Sequence, residues 1–203
     1  MTPEIAPPVR PQGKRALPGR FWYRFRGLVL LPIVLFAALF PLGEFENHLV
    51  VLPIGAVLFL CGLSVRIWAQ MHLRYRLKVH KVLTTTGPYA YVRNPVYIGT
   101  SIMFVALAFL SELVWLVPVM LAWCMVLYSR VVRYEEAKLL RKYGGAYEEY
   151  LAAVPRWVPC RRSTAVDPVA NARATGFLFP SVLTELYNLL LLIPFVLKEL
   201  IIT

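Results

Sequence analysis

The sequence has few acidic residues, few cysteines and few histidines. It contains 11 Asp and Glu against 22 Lys and Arg, with three Cys and three His in 203 residues. Cys61 and Cys124 lie in apolar runs and Cys160 follows a proline, and the sequence contains neither a CxxC pair nor a histidine cluster. These absences argue against a secreted disulfide scaffold and predict no zinc or redox site.

Charged residues as a whole are also scarce, at 16% of the chain, whereas 59% of the residues are hydrophobic and the mean hydropathy is +0.60. An ordinary soluble domain has only about 45–50% apolar residues. High hydrophobicity also excludes a disordered chain, because disorder requires few apolar residues. The composition therefore predicts a small membrane protein with several spans.

Five apolar runs have lengths near the roughly 20 residues with which a helix crosses the hydrocarbon. Only Ser111 and Glu112 separate the third run from the fourth, which predicts a tight helical hairpin. Pro180, Glu185 and Pro194 interrupt the last run, so that run either crosses the membrane or lies partly in the interface. We expect an all-α integral membrane fold with about five transmembrane helices over the runs Gly27–Gly43, Leu49–Met71, Val96–Leu110, Leu113–Ser129 and Phe177–Ile202.

Basic residues are concentrated on one side of the expected membrane. Of the 22 Lys and Arg, 20 lie before the first run, between the second and third, or between the fourth and fifth. The other two connections, Glu44–His48 and Ser111–Glu112, hold three Glu and no Lys or Arg. The positive-inside rule then predicts a cytoplasmic N-terminus and explains the basic charge without nucleic acid. We expect a basic cytoplasmic arm without a cleavable signal peptide over residues 1–26, a membrane core over 27–160, a linker over 161–176 and a C-terminal membrane helix over 177–203.

A shaped loop precedes the third run. Gly-Pro and Asn-Pro pairs punctuate the segment from Gly87 to Gly99, and Pro95 suits the first turn of the helix that follows. A helix N-terminus beside Arg93 favours a carboxylate or a phosphate. Aromatic faces favour a sulfonium or quaternary ammonium group, and the segment has three, from Tyr89, Tyr91 and Tyr97. The alternative is an interfacial loop whose tyrosines anchor at the headgroups.

A pair of glutamates, Glu135 and Glu136, follows the fourth run. Adjacent helical residues lie about 100° apart, so one carboxylate can turn inward to bind ribose hydroxyls or an ammonium group. The alternative is a solvated helix face. Beyond the pair, apolar residues recur at helical spacing and predict an amphipathic helix on the cytoplasmic membrane surface, with the headgroups contacted by Lys138, Arg141 and Lys142.

Arg66 lies inside the second run, where a charge is costly and indicates a functional site by default. It is also near the end of that run, from which a long side chain can reach the interface. Glu185 in the last run presents the same pair of alternatives.

The two segments together resemble the isoprenylcysteine carboxyl methyltransferase family and the related phospholipid N-methyltransferases. The resemblance covers roughly Gly62 to Pro159 and rests on four ordered motifs: GPYxYVRxPxYxG, RxEE, LxxxYGxxYxxY and VPRxxP. It implies an S-adenosylmethionine-dependent enzyme that methylates a lipophilic acceptor, a carboxylate, amine or thiol, at the cytoplasmic face. It also implies that membrane lipids are its surroundings and that residues 27–160 are its catalytic core.

Carried over by position, the resemblance implies a cofactor site and a reacting end. The cofactor site comprises Gly87, Pro88, Tyr89, Tyr91, Arg93, Asn94, Pro95, Tyr97, Gly99, Glu135 and Glu136. Arg133 and Asn94 would lie near the transferred methyl group.

Asn94 departs from the family, which usually has His at this position. Asn can still donate a hydrogen bond, but it cannot take a proton. Only His72 and His80 remain as conventional bases on this side of the membrane. We therefore expect an acceptor that is already ionised, or one activated by Arg133 or a tyrosine, to react more readily.

Two other functions fit the same patterns. Some sterol-type membrane reductases resemble this family in their C-terminal half and bind NADPH. A non-enzymatic membrane protein could instead bind anionic lipid or a partner through the basic face. Lipid binding alone, however, requires neither the paired glutamates nor the Arg-Asn-Pro loop.

Overall fold

The computed structural model describes residues 19–40, 48–75, 83–160 and 173–202. Seven α-helices cover most of these residues: α1 Arg20–Leu39, α2 His48–Tyr75, α3 Pro95–Leu110, α4 Val117–Tyr143, α5 Gly145–Ala153, α6 Leu178–Glu185 and α7 Ile193–Ile202. Short 3-10 helices occupy Gly87–Ala90, Val114–Leu116 and Leu186–Leu192. The expected all-α fold is confirmed.

Four helical segments are long and apolar enough to cross a membrane: Arg20–Leu39, Leu49–Tyr75, Val114–Tyr143 and Leu178–Leu197. Helix α3 is also predominantly apolar but is shorter, with 16 residues. At 1.5 Å per residue it is about 24 Å long, less than the hydrocarbon thickness of about 30 Å. The count of about five spans is thus compatible with four long helices and one short one, in an integral membrane protein.

The expected hairpin of α3 and α4 is present. Ser111 ends α3, and Glu112 adopts a positive φ of 62° before the 3-10 helix Val114–Leu116 leads into α4. Buried apolar side chains from α1, α2, α3 and α4 meet around this hairpin and form the main core, which includes Phe59, Leu107, Met120 and Leu127. This core holds α1 and α4 side by side and places the start of α3 beside the end of α4.

Helices α2 and α3 make the closest helix pair in the structure, and two glycines allow it. A Cβ atom on Gly62 would lie 2.6 Å from the Gly99 carbonyl oxygen, and a Cβ on Gly99 would lie 2.6 Å from the Gly62 carbonyl oxygen. No side chain fits between backbones at that separation. The crossing therefore fixes how far α3 stands from α2 at its first turns.

The segment after Glu136 differs from the predicted surface helix. Helix α4 continues to Tyr143 because the helical pattern is unbroken, and the break comes at Gly144, which has a φ of +54°. Helix α5 then turns Tyr147 and Tyr150 inward, where both are buried with Val154. Tyr147 and Tyr150 thus pack within the protein instead of on a membrane surface.

The last apolar run is long enough to cross the membrane, and it is irregular. It consists of α6, the 3-10 helix Leu186–Leu192 and α7, with the irregular stretch between Pro180 and Pro194. Helix α6 packs on α2 and α7 packs on α1. The linker predicted over residues 161–176 lies mostly outside the described residues, and so does the arm predicted over residues 1–26.

Candidate active site

A cavity of about 460 Å³ lies where α1 begins, α2 ends, α3 begins and α4 ends. Its volume falls within the range of about 300–1,000 Å³ that is usual for small-molecule sites. Four of the lining side chains are cationic, two are carboxylates and six are tyrosines. The lining includes Tyr23, Arg26, Tyr89, Arg93, Asn94, Pro95, Val96, Tyr97, Glu135, Glu136, Lys138, Lys142, Tyr143, Tyr147 and Tyr150.

The loop before α3 forms one wall of this cavity. Gly87 has a φ of +61° and lies so close to the His72 ring that a Cβ atom at this position would overlap it. The 3-10 helix Gly87–Ala90 follows, and its Tyr89 carbonyl accepts a hydrogen bond of 2.8 Å from Tyr150 Oη of α5. Asn94 is the N-cap residue of α3, and Pro95 is in its first turn, as the sequence predicts for the proline. The loop is therefore shaped by its glycine and held from outside by α5.

The segment after α5 runs along the same loop. The Arg93 backbone N–H donates to the Pro155 carbonyl at 2.9 Å, and the Cys160 N–H donates to the Tyr91 carbonyl at 3.1 Å. Asn94 Nδ2 donates to the Arg156 carbonyl at 3.2 Å. Asn94 thus ties the loop to this segment with its amide N–H, a bond that a histidine could also make but that needs no proton transfer.

Glu136 is held by two arginines. Arg93 Nη1 donates to Oε1 at 3.0 Å, while Arg156 donates through Nε to Oε1 at 3.1 Å and through Nη2 to Oε2 at 2.5 Å. The paired Arg156 bonds have the fork geometry that guanidinium and carboxylate groups favour. The charge of Glu136 is therefore already compensated within the protein.

Glu135 has different surroundings from its neighbour. It is half-buried in the cavity wall, and Tyr97 Oη donates to its Oε1 at 2.9 Å. The Tyr97 ring packs on the Tyr128 ring at a centroid distance of 4.8 Å. The structure thus separates the two glutamates: Glu136 is part of an ion-pair cluster, and Glu135 faces the cavity beside a tyrosine.

One buried polar atom of the cavity wall has no hydrogen-bond partner among the described residues. Arg93 Nε is buried and makes no hydrogen bond to any residue that the structure describes. A buried donor without a partner costs about 1–3 kcal/mol. Because the Arg93 side chain lines the cavity, an anionic group bound there could accept from it.

Burial raises the pKa of three hydroxyls near the cavity, those of Tyr89, Tyr147 and Tyr150. Nearby carboxylates add to the shift at Tyr89 and Tyr147, and neighbouring tyrosines add to it at Tyr150. These tyrosines therefore stay neutral at physiological pH and can donate hydrogen bonds.

Seven of the predicted site residues line the cavity: Tyr89, Arg93, Asn94, Pro95, Tyr97, Glu135 and Glu136. Gly87 and Gly99 do not; they allow close packing against His72 and against α2, respectively. Pro88 and Tyr91 belong to the loop without lining the cavity. Arg133 is exposed and lies outside the cavity, so its assignment to the reacting end stays a prediction.

Several cavity residues did not follow from the motifs. Tyr23 and Arg26 of α1 line the cavity. So do Lys138 and Lys142, which were expected to contact lipid headgroups. The contact of α1 with α4 explains this, since it brings the start of one helix to the end of the other. Arg156 belongs to the VPRxxP motif, but nothing in that motif identifies Glu136 as its partner.

No histidine is among the cavity residues in the described part of the chain. His72 is buried against Gly87, with Nδ1 3.3 Å from Thr86 Oγ1 and its ring edge to face with Trp68. His80 lies outside the described residues. The described residues also contain no group of three His, Cys, Asp or Glu side chains that could hold a metal ion.

Comparison with known proteins identifies a family for the central part of the chain. Residues 50–146 match the family described as phospholipid methyltransferase. The nickel-cobalt-cadmium resistance protein NccN of Alcaligenes xylosoxydans xylosoxydans is 23% identical over 134 residues, which cover 64% of this chain and 62% of that protein. The chain thus matches less than two thirds of this relative's length. No solved structure shows a significant match.

The matched range contains most of α2, the loop before α3, α3 and α4, and it therefore contains the loop motif, the glutamate pair and most of the cavity wall. Over residues 50–146, just under half of the chain, this integral membrane protein thus matches the phospholipid methyltransferase family.

Proposed function

We propose that this protein transfers a methyl group from S-adenosylmethionine to a lipophilic acceptor at the cytoplasmic face of the membrane. The observation that carries the proposal is the cavity, in which the loop Gly87–Asn94 and the Glu135–Glu136 pair meet although about 40 residues separate them in sequence. The family of residues 50–146 supports methyl transfer as the reaction.

The side chains present fit this cofactor. Arg93 Nε is a buried donor without a partner among the described residues, and it can bind the carboxylate of the methionine part. Glu135 supplies a carboxylate for the ammonium group or the ribose hydroxyls, and tyrosine faces favour a sulfonium. When bound, S-adenosylmethionine supplies an electrophilic methyl group whose carbon–sulfur bond breaks with the electron pair left on sulfur.

The protein's own task is then to hold two reactants in line and exclude water. Tyr97 and Glu135 are fixed to each other, and the Glu136 cluster fixes Arg93, so the binding groups need little rearrangement when a ligand enters. The described cavity residues include no histidine that could transfer a proton.

The charge of the cavity favours an anionic acceptor. The cations are Arg26, Arg93, Lys138 and Lys142, against the two carboxylates Glu135 and Glu136. A sulfonium adds a further positive charge. A carboxylate or thiolate is attracted into such a site, whereas an ammonium group is repelled and must also lose a proton before it reacts.

The first test is cofactor binding, measured by calorimetry on the purified protein in detergent or nanodiscs. We expect S-adenosylmethionine to bind, and Arg93→Ala and Glu135→Gln each to weaken binding at least tenfold. Glu149→Gln is the matched control, because Glu149 is exposed on α5 outside the cavity. Absence of binding, or equal affinity in all four proteins, would refute the site. A parallel thermal-shift series with NADPH distinguishes a methyltransferase from a reductase.

The second test concerns the acceptor. Radiolabelled methyl transfer is measured with three acceptors of equal alkyl chain length that carry a carboxylate, a thiol or an amine. We expect product from the carboxylate or thiol at rates above that of the amine. Faster methylation of the amine would contradict the charge argument without affecting the cofactor assignment.

A further inference from the structure

The C-terminal span presents a buried polar stripe to the rest of the molecule. Ser181, Glu185 and Asn188 recur at helical spacing and are 0%, 2% and 5% exposed, while Leu183, Leu186 and Leu190 of the same segment are exposed. This is the reverse of a soluble helix, since the polar side chains are inside and the apolar ones face outward to lipid. The stripe is the side that contacts α2.

Arg66 of α2 is the partner of this stripe. Its Nε donates to Glu185 Oε2 at 2.6 Å and its Nη2 donates to Glu185 Oε1 at 3.2 Å. Asn188 Nδ2 donates to the same Glu185 Oε2 at 2.6 Å. Arg66 therefore does not extend to the interface, and the two intramembrane charges that the sequence left unassigned form one buried pair.

The same guanidinium reaches α3. Arg66 Nη1 donates to Thr100 Oγ1, and Thr100 Oγ1 donates to the Val96 carbonyl at 2.7 Å. Val96 and the next residue, Tyr97, line the cavity. A continuous set of hydrogen bonds thus runs from Glu185, through Arg66 and Thr100, to the first turn of α3 in the cavity wall.

Packing adds a second constraint at this point. A Cβ atom on Gly99 would lie 2.8 Å from Arg66 Cγ, so the aliphatic part of Arg66 rests directly on the α3 backbone. A displacement of Arg66 would therefore move α3 as well as break a hydrogen bond. The ion pair with Glu185 prevents such a displacement because it holds the guanidinium from the far side.

A buried ion pair is a poor means of stabilising a fold, because apolar residues of similar volume often do as well or better. The pair instead fixes the position and orientation of the Arg66 guanidinium. We propose that Glu185 is a positioning residue, which acts through Arg66 and Thr100 to hold the first turn of α3, and with it Tyr97 and Val96, in place in the cavity wall. Glu185 lies outside the residues 50–146 that match the family. Its effect on ligand binding rests on the function proposed above, whereas its effect on α3 does not.

The experiment therefore has two readouts in nanodiscs: hydrogen–deuterium exchange of peptides that cover residues 93–103, and the affinity for S-adenosylmethionine. We expect Glu185→Gln to raise exchange in these peptides and to weaken binding about tenfold. Thr184→Val is the matched control, because Thr184 also joins α6 to α2, by accepting 3.0 Å from Arg74 Nη2, but does not lead to α3. It should change neither readout.

Two further variants separate positioning from folding. The double variant Arg66→Met with Glu185→Met removes both charges together, so it should keep the melting temperature while it loosens α3 and weakens binding. Thr100→Val should have the same effects, and Thr100→Ser, which keeps the hydroxyl, should restore both readouts.

The outcomes decide the proposal. If exchange over 93–103 and affinity are unchanged in Glu185→Gln and in the double Met variant, the positioning role is refuted. If affinity falls only in proportion to a lower melting temperature, the pair is structural and the proposal is again refuted. If the parent protein binds no S-adenosylmethionine but exchange rises as expected, the positioning of α3 stands and the function proposed above fails.

Discussion

Single residues set the shape of the loop that precedes α3. Gly87 combines a left-handed backbone with close contact to the His72 ring, so both its conformation and its size exclude other residues. Glu135 and Glu136, in contrast, have the same side chain but different neighbours. Glu136 accepts hydrogen bonds from two arginines, whereas Glu135 accepts one from a tyrosine.

Replacement of Gly87 tests the loop directly. Gly87→Ala is expected to lower the free energy of unfolding by about 3 kcal/mol, from the strained backbone and the overlap with His72 together. Thermal unfolding of the purified protein measures this loss of stability. Gly145→Ala is the control, because a Cβ atom there meets nothing within 4 Å and α5 gains a better helix former. Equal stability of the Gly87 variant and the parent would contradict the loop geometry.

Arg156 provides a second test at this scale. Arg156→Lys cannot make the paired bonds to both Glu136 oxygens, so we expect a loss of about 1 kcal/mol in stability and several-fold weaker cofactor binding, because Arg93 is then less firmly held. Calorimetric titration and thermal unfolding measure the two effects. Arg20→Lys, at the exposed start of α1, should leave both unchanged. An unaltered affinity in Arg156→Lys would show that the Glu136 cluster does not support the cavity.

Individual elements bring these residues together through close packing. Helix α3 is too short to span the hydrocarbon alone, and its contact with α2 at Gly62 and Gly99 sets the height and distance of its N-terminus. Helix α4 has 27 residues, about 40 Å at 1.5 Å per residue, and so projects beyond the hydrocarbon and carries Glu135 and Glu136 to the level of that N-terminus.

The helix crossing predicts the effect of one added methyl group. Gly99→Ala places its Cβ atom against the Gly62 carbonyl, which belongs to the backbone and cannot rotate away, so we expect about 2 kcal/mol of destabilisation and weaker cofactor binding. Gly27→Ala on α1 is the control, since nothing lies within 4 Å of its Cβ position. Chemical unfolding in detergent compares the two, and a Gly99 variant as stable as the Gly27 variant would disprove the close crossing.

The whole molecule is organised by the segregation of apolar and basic residues. The cavity lies at the helix ends that carry the basic residues of α1 and α4, and the four long apolar helices run away from it. If the positive-inside rule holds, this end is cytoplasmic, where a polar cofactor is available.

The native cysteines test this orientation. Cys160 follows the loop segment at the cavity end and is half-buried, while Cys61 and Cys124 lie within α2 and α4. We expect a membrane-impermeant maleimide to label Cys160 in inverted membrane vesicles and not in intact cells. Asn47→Cys combined with Cys160→Ser places the reactive cysteine in the opposite connection and should show the reverse pattern. Labelling of Cys160 from outside intact cells would invert the topology.

Local pattern accounts for much of the fold and part of the site. Apolar run length predicts the spans, Pro95 predicts the start of α3, and the glutamate pair falls near the cavity because a helix carries it there. The partners of charged residues were not predictable, because they depend on contacts far apart in sequence: Arg66 and Glu185 are 119 positions apart, and Arg93 and Glu136 are 43 apart. The rotation of α4, which decides which glutamate meets the arginines, is likewise set by packing against its neighbours.

The sequence by itself therefore determined the membrane class, the separation of charge and the two segments that line the cavity, since these depend on hydrophobicity and on short-range backbone preferences. The tertiary structure alone decided that α1 and its Arg26 complete the cavity, that Arg156 compensates Glu136, and that Glu185 holds Arg66 against α3. The physical reason is that the energy of a charge depends on its surroundings, and folding brings those surroundings together from distant parts of the chain.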